Sequence, residues 1–161
     1  MFIGHLGLGF AAKRVTPHIS LAALFVAAQF ADLLWPVFVA VGLETVRIDP
    51  GNTAFTPLDF VSYPYTHSLA FLVLWGVLLA WAYRLMVGNG RAFLAIFSLV
   101  VSHWVLDVVT HRPDLPLYPA GPKFGLGLWN SVPWTMAVEL PTYGAGVWLY
   151  VRATHPKDAI V

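Results

Sequence analysis

From Ala92 to Thr110 the chain reads AFLAIFSLVVSHWVLDVVT, a run with no Lys, Arg or Glu and a single Asp. A segment this long and this apolar can cross a bilayer as one helix. The rest of the chain agrees, with 58% hydrophobic and 11% charged residues. Soluble domains carry about a quarter charged residues, so the sequence predicts an integral membrane protein. The net charge of +1 provides no basic footprint for nucleic acid. Cysteine is absent, which excludes thiolate metal sites and disulfides.

The 161 residues suit one domain, and the apolar runs divide it. Residues 1–12 are apolar but reach only about 18 Å as a helix, so they form a short re-entrant or interfacial segment. Lys13 and Arg14 follow this segment, the wrong order for a cleaved signal peptide. Spans are predicted over about 20–42, 66–87, 92–110 and 133–150. Pro36 should kink the first and free a carbonyl near Asp32. Residues 44–65 form a Pro-rich surface loop, Gly88 to Arg91 a tight turn, and 112–132 a Pro/Gly-rich loop. The fold expected is all-α, a polytopic membrane bundle of about four transmembrane helices. With both termini cytoplasmic, Lys13, Arg14, Arg84, Arg91, Arg152 and Lys157 lie inside, against Arg47, Arg112 and Lys123 outside. That asymmetry follows the positive-inside rule.

Ionisable side chains at membrane depth are costly and usually mark a site or a pathway. His103, Asp107 and His111 are spaced four apart and share one helix face. Under the predicted topology Asp32, His67, His103, Asp107 and Glu139 all fall in the outer half of the membrane, on four different spans. Imidazoles and carboxylates at one depth suit Zn²⁺, Mn²⁺ or Fe²⁺. Each group also has a plainer reading. Asp32 could pair with a carbonyl freed at Pro36, if protonated. His67 could cap the second span beside Thr66 and Ser68. His103 and Asp107 could simply pair helices. His111, next to Arg112, reads as an interface residue. His5 joins the others only if the first segment inserts steeply. Glu139 is a ligand, a partner that orients a ligand, or the base that holds the proton of an attacking water. Asp107 and Asp32 are the other candidates for that role. His18 and His155 are assigned none, and the tryptophans read as packing or interfacial belt residues.

Gly4-His5 with Gly9, the mid-span Asp32, Thr66-His67-Ser68-Leu69 and Ser102-His103-xxx-Asp107 occur in that order. The pattern resembles the YdjM-like family of bacterial membrane-bound metal-dependent hydrolases, from the first residues to about Arg112. The resemblance implies His5, Asp32, His67, His103 and Asp107 as metal-site residues and the bacterial inner membrane as the location. That family usually carries Pro-Asp-x-Asp around the first carboxylate, where this chain has Ala31-Asp32-Leu33-Leu34. One carboxylate fewer implies fewer metals. The expected activity is hydrolysis of an ester or phosphoester of a lipid-like substrate, with zinc the first choice of metal. The rivals are a small transporter or proton relay using the same His/Asp cluster, and a structural membrane protein without catalysis. The sequence leaves the oligomeric state open.

Overall fold

Each apolar run becomes a helix in the computed structural model, which describes residues 1–87 and 90–154. Helix α1 spans Ile3–Val15, α2 Leu21–Ala28 and α3 Phe30–Ala40. A hairpin of β1 (Thr45–Ile48) and β2 (Leu58–Ser62) follows, antiparallel, with Val46 opposite Phe60. The short α4 (Pro64–His67) leads into α5 (Leu69–Val87), and α6 covers Gly90–Thr110. A second antiparallel pair, β3 (Leu115–Pro116) and β4 (Lys123–Phe124), and a 3₁₀ turn at Leu128–Asn130 precede α7 (Val132–Ala153). The expected turn at Gly88 and Asn89, and His155 and Lys157 in the tail, lie outside the described residues.

Helices α5 and α6 pair with each other, and α2 packs across α6. The core between them holds Leu24, Leu72, Ile96 and Val100 against the small side chains of Ala27, Ala28 and Ala31. Outward, Trp81, Leu85, Leu94 and Val105 are more than half exposed. An apolar exterior on this scale fits an apolar surrounding. Among the described residues α5 and α6 are long and apolar enough to cross a membrane, and the pair α2–α3 would make a third span. The fourth expected span coincides with α7. That helix is long enough, but Thr135, Glu139, Thr142 and Arg152 dilute its apolarity.

The first expected span is broken, and not where proline predicts. Helices α2 and α3 meet at a 55° bend. The break is at Gln29, which closes α2 with its amide on the Phe25 carbonyl and then leaves helical geometry (φ −102°, ψ 13°). Pro36 sits inside α3. The bend lets the alanines on both sides enter the core and turns the Ala28 carbonyl towards α6. The second span breaks too, because Ser68 is extended (ψ 145°) between α4 and α5. The two long loops differ from the all-α expectation in forming small antiparallel pairs. Their backbone groups find partners in each other where no helix supplies them.

Helix α1 packs along α7 and α2. The contact with α7 is backbone to backbone. A Cβ on Gly146 would overlap the main chain of Gly7, and one on Gly7 would sit 2.7 Å from the carbonyl oxygen of Thr142. This close approach draws the N-terminal half of α1 inwards. At its other end Lys13 Nζ donates to the carbonyls of Pro17 (2.8 Å) and Ile19 (2.6 Å).

Candidate metal centre

The centre is built outward from His103. Its Nδ1 lies 2.9 Å from the carbonyl oxygen of Ala28, the group exposed by the bend at Gln29. A carbonyl only accepts, so Nδ1 carries a proton and Nε2 is the nitrogen left to offer a metal. Among the described residues that Nε2 is buried with no well-aligned hydrogen-bond partner. It faces Asp107 Oδ2 at 3.2 Å and Asp32 Oδ1 at 3.6 Å.

His67 is oriented in the same sense by a longer chain. The Glu44 carboxylate accepts from the amides of Tyr65 and Thr66 (both 2.8 Å) and from the Thr66 hydroxyl (2.7 Å). Having given its only proton to Glu44, the Thr66 oxygen accepts from His67 Nδ1 at 2.7 Å. The Nε2 lone pair of His67 therefore points at Asp32 Oδ1, 3.3 Å away, with Asp107 Oδ2 at 4.0 Å. Carboxylate, hydroxyl and imidazole in series set the tautomer and orientation that a metal-binding histidine needs.

His5 arrives from α1. Its ring stacks on that of His103, with centroids 3.7 Å apart and planes within 5°. Its Nε2 is 3.1 Å from Asp107 Oδ1, and its buried Nδ1 has no partner. The main-chain nitrogen of Met1 also contacts Asp107 Oδ1 and lies 2.8 Å from Thr110 Oγ1. Two ligand groups result, His5–His103–Asp107 and Asp32–His67–His103, each with its donor atoms within 4.8 Å of one another. His103 belongs to both.

Two carboxylates and the Nε2 atoms of His67 and His103 thus face one another, all buried except Asp32. Protons or a cation must satisfy them. One divalent cation does so for either group at once, and the nitrogen and oxygen donors with no sulfur fit zinc, manganese or iron. The residues present therefore fit a divalent metal.

His111 is buried, because the 112–132 loop folds back over the end of α6. The amides of Leu126 and Gly127 donate to the carbonyls of Val108 and His111. His111 Nδ1 lies 3.2 Å from Asp114 Oδ1, and its Nε2 faces Asp107 Oδ2 at 3.7 Å. Tyr63 donates to the same Asp114 oxygen at 2.8 Å. Arg112 bridges Asp59 (2.9 Å) and Asp114 (3.5 Å). Burial pushes the Tyr63 hydroxyl well above its ordinary range, and the negative charge of Asp114 adds to the effect. Burial also lowers His111, against the pull of Asp107 and Asp114. Asp114 resists burial and stays below the usual carboxylate range, because His111, Tyr63 and Arg112 all favour its charged form.

Glu139 is in neither ligand group. Its Oε2 accepts from the amides of Phe2 (3.1 Å) and Ile3 (3.0 Å), capping a helix whose N-cap residue, Phe2, has no side-chain acceptor. Glu139 thus anchors the start of α1, and so His5, through Oε2, while among the described residues its buried Oε1 has no hydrogen-bond partner. Glu44, Tyr63 and Asp114 were not singled out from sequence. They lie in loops, where no periodicity marks a buried polar group. Only Thr66, inside the Thr-His-Ser motif, carried a hint.

Comparison with known proteins adds no relative, since the chain matches no family model, no curated protein and no solved structure.

Proposed function

We propose that the protein is a membrane-embedded, metal-dependent hydrolase acting on an ester or phosphoester of a lipid-like, membrane-associated substrate. The observation that carries this reading is the convergence of three imidazoles and two carboxylates, in two groups that could each hold a metal ion, beside a cavity. Its motifs and their order resemble those of the YdjM-like family. In this reading α2–α3, α5, α6 and α7 form a four-span bundle in the bacterial inner membrane, with both termini cytoplasmic. His5, Asp32, His67, His103 and Asp107 hold the metal, with zinc preferred.

A metal bound there would activate water and polarise the scissile bond. The chain's residues do the rest. Ala28, Thr66 and Glu44 hold the imidazoles in the ligating tautomer. Asp32 is 34% exposed and opens the centre to the cavity. Asp32 and Asp107 can share the proton released by water. His111, with Nδ1 held by Asp114 and Nε2 free beside Asp107, can take that proton and deliver it to the leaving group.

Metal analysis of purified protein tests the centre. His103→Ala and Asp107→Ala should lose bound metal while still inserting in the membrane, and full retention in both would leave only a helix-pairing cluster. Turnover is tested on a panel of phospholipids, lipid-linked phosphates and simple esters. His111→Gln should keep the metal and lose on the order of 10²–10⁴ in rate, the usual size of general acid–base catalysis. Substrate flux into liposomes without any cleavage would replace the hydrolase with a transporter.

A further inference from the structure

A cavity of about 390 Å³ adjoins the centre, at the small end of the range for small-molecule sites. Its inner end is polar, formed by Asp32, His67, Asp107 and His111. The long loops roof it. Phe55, Thr56, Leu58 and Phe60 come from the hairpin and its connecting loop, and Trp129 from the 3₁₀ turn. The amide of Phe55 donates to the carbonyl of Trp129 at 3.0 Å, and the two rings stack with planes within 10°. Phe60 adds its ring at 6.0 Å from that of Trp129. None of these roof residues is exposed.

The exposed lining residues belong instead to the helices. Phe2, at the start of α1, is 62% exposed, and Pro36 of α3 is exposed as well. The two segments meet at the bend before α3, where Gln29 Nε2 donates to the Phe2 carbonyl at 3.4 Å. Leu33 and Val37, neighbours of Pro36 on α3, are more than half exposed. The cavity therefore opens sideways, between the start of α1 and α3, through an apolar rim. Helix α3 is half of the bent pair that would make a third span, so the opening lies on the flank of that span. Such a rim is unfavourable against water and costs nothing against acyl chains. Polarity thus runs from a charged inner end to an apolar mouth, the arrangement that seats an amphiphile with its polar group inward.

We infer that the cavity opens to the bilayer between Phe2 and Pro36 and takes a membrane lipid from there, its scissile group at Asp32, His67 and Asp107 and its chain trailing into the lipid phase. The inference rests on the membrane-embedded, hydrolytic reading above and adds the route and the pose of the substrate. A cavity this small holds the polar group and the start of one chain, whether the scissile bond is an ester or a phosphoester. Delivery from water through the loops is the route it rejects.

The test uses full-length protein in phospholipid nanodiscs. The chain has no cysteine, so a single introduced one carries a label at one place. Nitroxides at Phe2→Cys and Pro36→Cys should be relaxed more by oxygen, which concentrates in lipid, than by a water-soluble nickel chelate. Ala54, beside Phe55 in the roof, is exposed, and a nitroxide at Ala54→Cys should show the reverse. Nickel dominating at both Phe2 and Pro36 would put the mouth in water and overturn the inference, whatever the protein cleaves. Turnover is the second arm, on whichever lipid of the panel above the metal-loaded protein cleaves. Its rate should follow the mole fraction of that lipid in the disc and not the bulk concentration. A bulky maleimide on Phe2→Cys or Pro36→Cys should abolish turnover with the metal retained, and the same label on Ala54→Cys should leave turnover intact. Loss at Ala54 with none at Phe2 or Pro36 would place the entrance in the loops, overturning the inference and leaving a hydrolase standing. Oxygen contact at both rim positions with no turnover on any substrate would support the opening to lipid and overturn the hydrolase.

Discussion

The imidazole of His67 takes its orientation from Glu44, a residue that never reaches the centre. Glu44 accepts three hydrogen bonds, and the Thr66 hydroxyl is left with only its lone pairs to offer His67 Nδ1. Glu44→Gln changes the direction of the chain. The amide nitrogen would donate to Thr66, the hydroxyl would donate to Nδ1, and the proton of His67 would move to Nε2, the atom that must bind metal. Metal affinity should fall about 10–100-fold, as for other partners of metal-binding histidines, and nitrogen NMR of labelled histidine should register the tautomer change. Unchanged affinity would make Glu44 a cap for α4 and nothing more. Asp114 offers a second test. Its carboxyl is held below its ordinary value of 3.8 by His111, Tyr63 and Arg112. A lowered folded value stabilises the protein above the ordinary value, and that contribution is lost as pH falls through the folded one. Thermal midpoints measured from about pH 6 to about pH 3 should therefore drop more steeply in wild type than in Asp114→Asn. Parallel curves would remove Asp114 from the acid response.

At the level of elements, two helix irregularities position the centre. The bend at Gln29 hands the Ala28 carbonyl to His103 and sets Asp32 in the first turn of α3, near the positive end of that helix. The contact of α1 with α7 brings in His5, and it depends on two glycines. Gly146 lies against the main chain of Gly7, so a side chain there must separate the helices. Gly146→Val should cost on the order of 1–3 kcal/mol, as overpacking does, and weaken metal binding by withdrawing His5. Gly144 has open space around it. Gly144→Ala, two residues away on the same helix, should leave metal binding intact and raise stability by up to about 1 kcal/mol through helix propensity. Equal effects of the two substitutions on metal content would show that α1 does not depend on this approach. Both features escape a reading by periodicity. A glycine that permits contact looks like one that merely interrupts a helix, and a proline is a more visible breaker than a glutamine that leaves helical geometry at φ −102° and ψ 13°.

For the molecule as a whole, the prediction concerns the bilayer. Six of the nine Lys and Arg residues lie on the side assigned to the cytoplasm. Reporter fusions at Gly90 and after Thr154 should both read cytoplasmic, with α7 crossing despite its weaker apolarity. A cytoplasmic reading at Gly90 and an external one after Thr154 would mean that α7 does not span. The candidate centre would then sit beneath a surface layer of α1 and α7.

The helical class, the approximate limits of α5, α6 and α7, and the shared face of His103 and Asp107 were legible along the chain. Apolar runs and four-residue spacing are local properties, and they survive folding unchanged. The ligand atoms' convergence was legible only as a common depth. Which nitrogen of each imidazole is free depends on Ala28, Thr66 and Glu44, acceptors remote in sequence or silent in pattern. The same holds for Glu139, which has the composition of a catalytic group and the position of a helix cap. Its partners are backbone amides of α1, 136 and 137 residues away, and a main-chain amide leaves no trace in the identity of the residue that carries it.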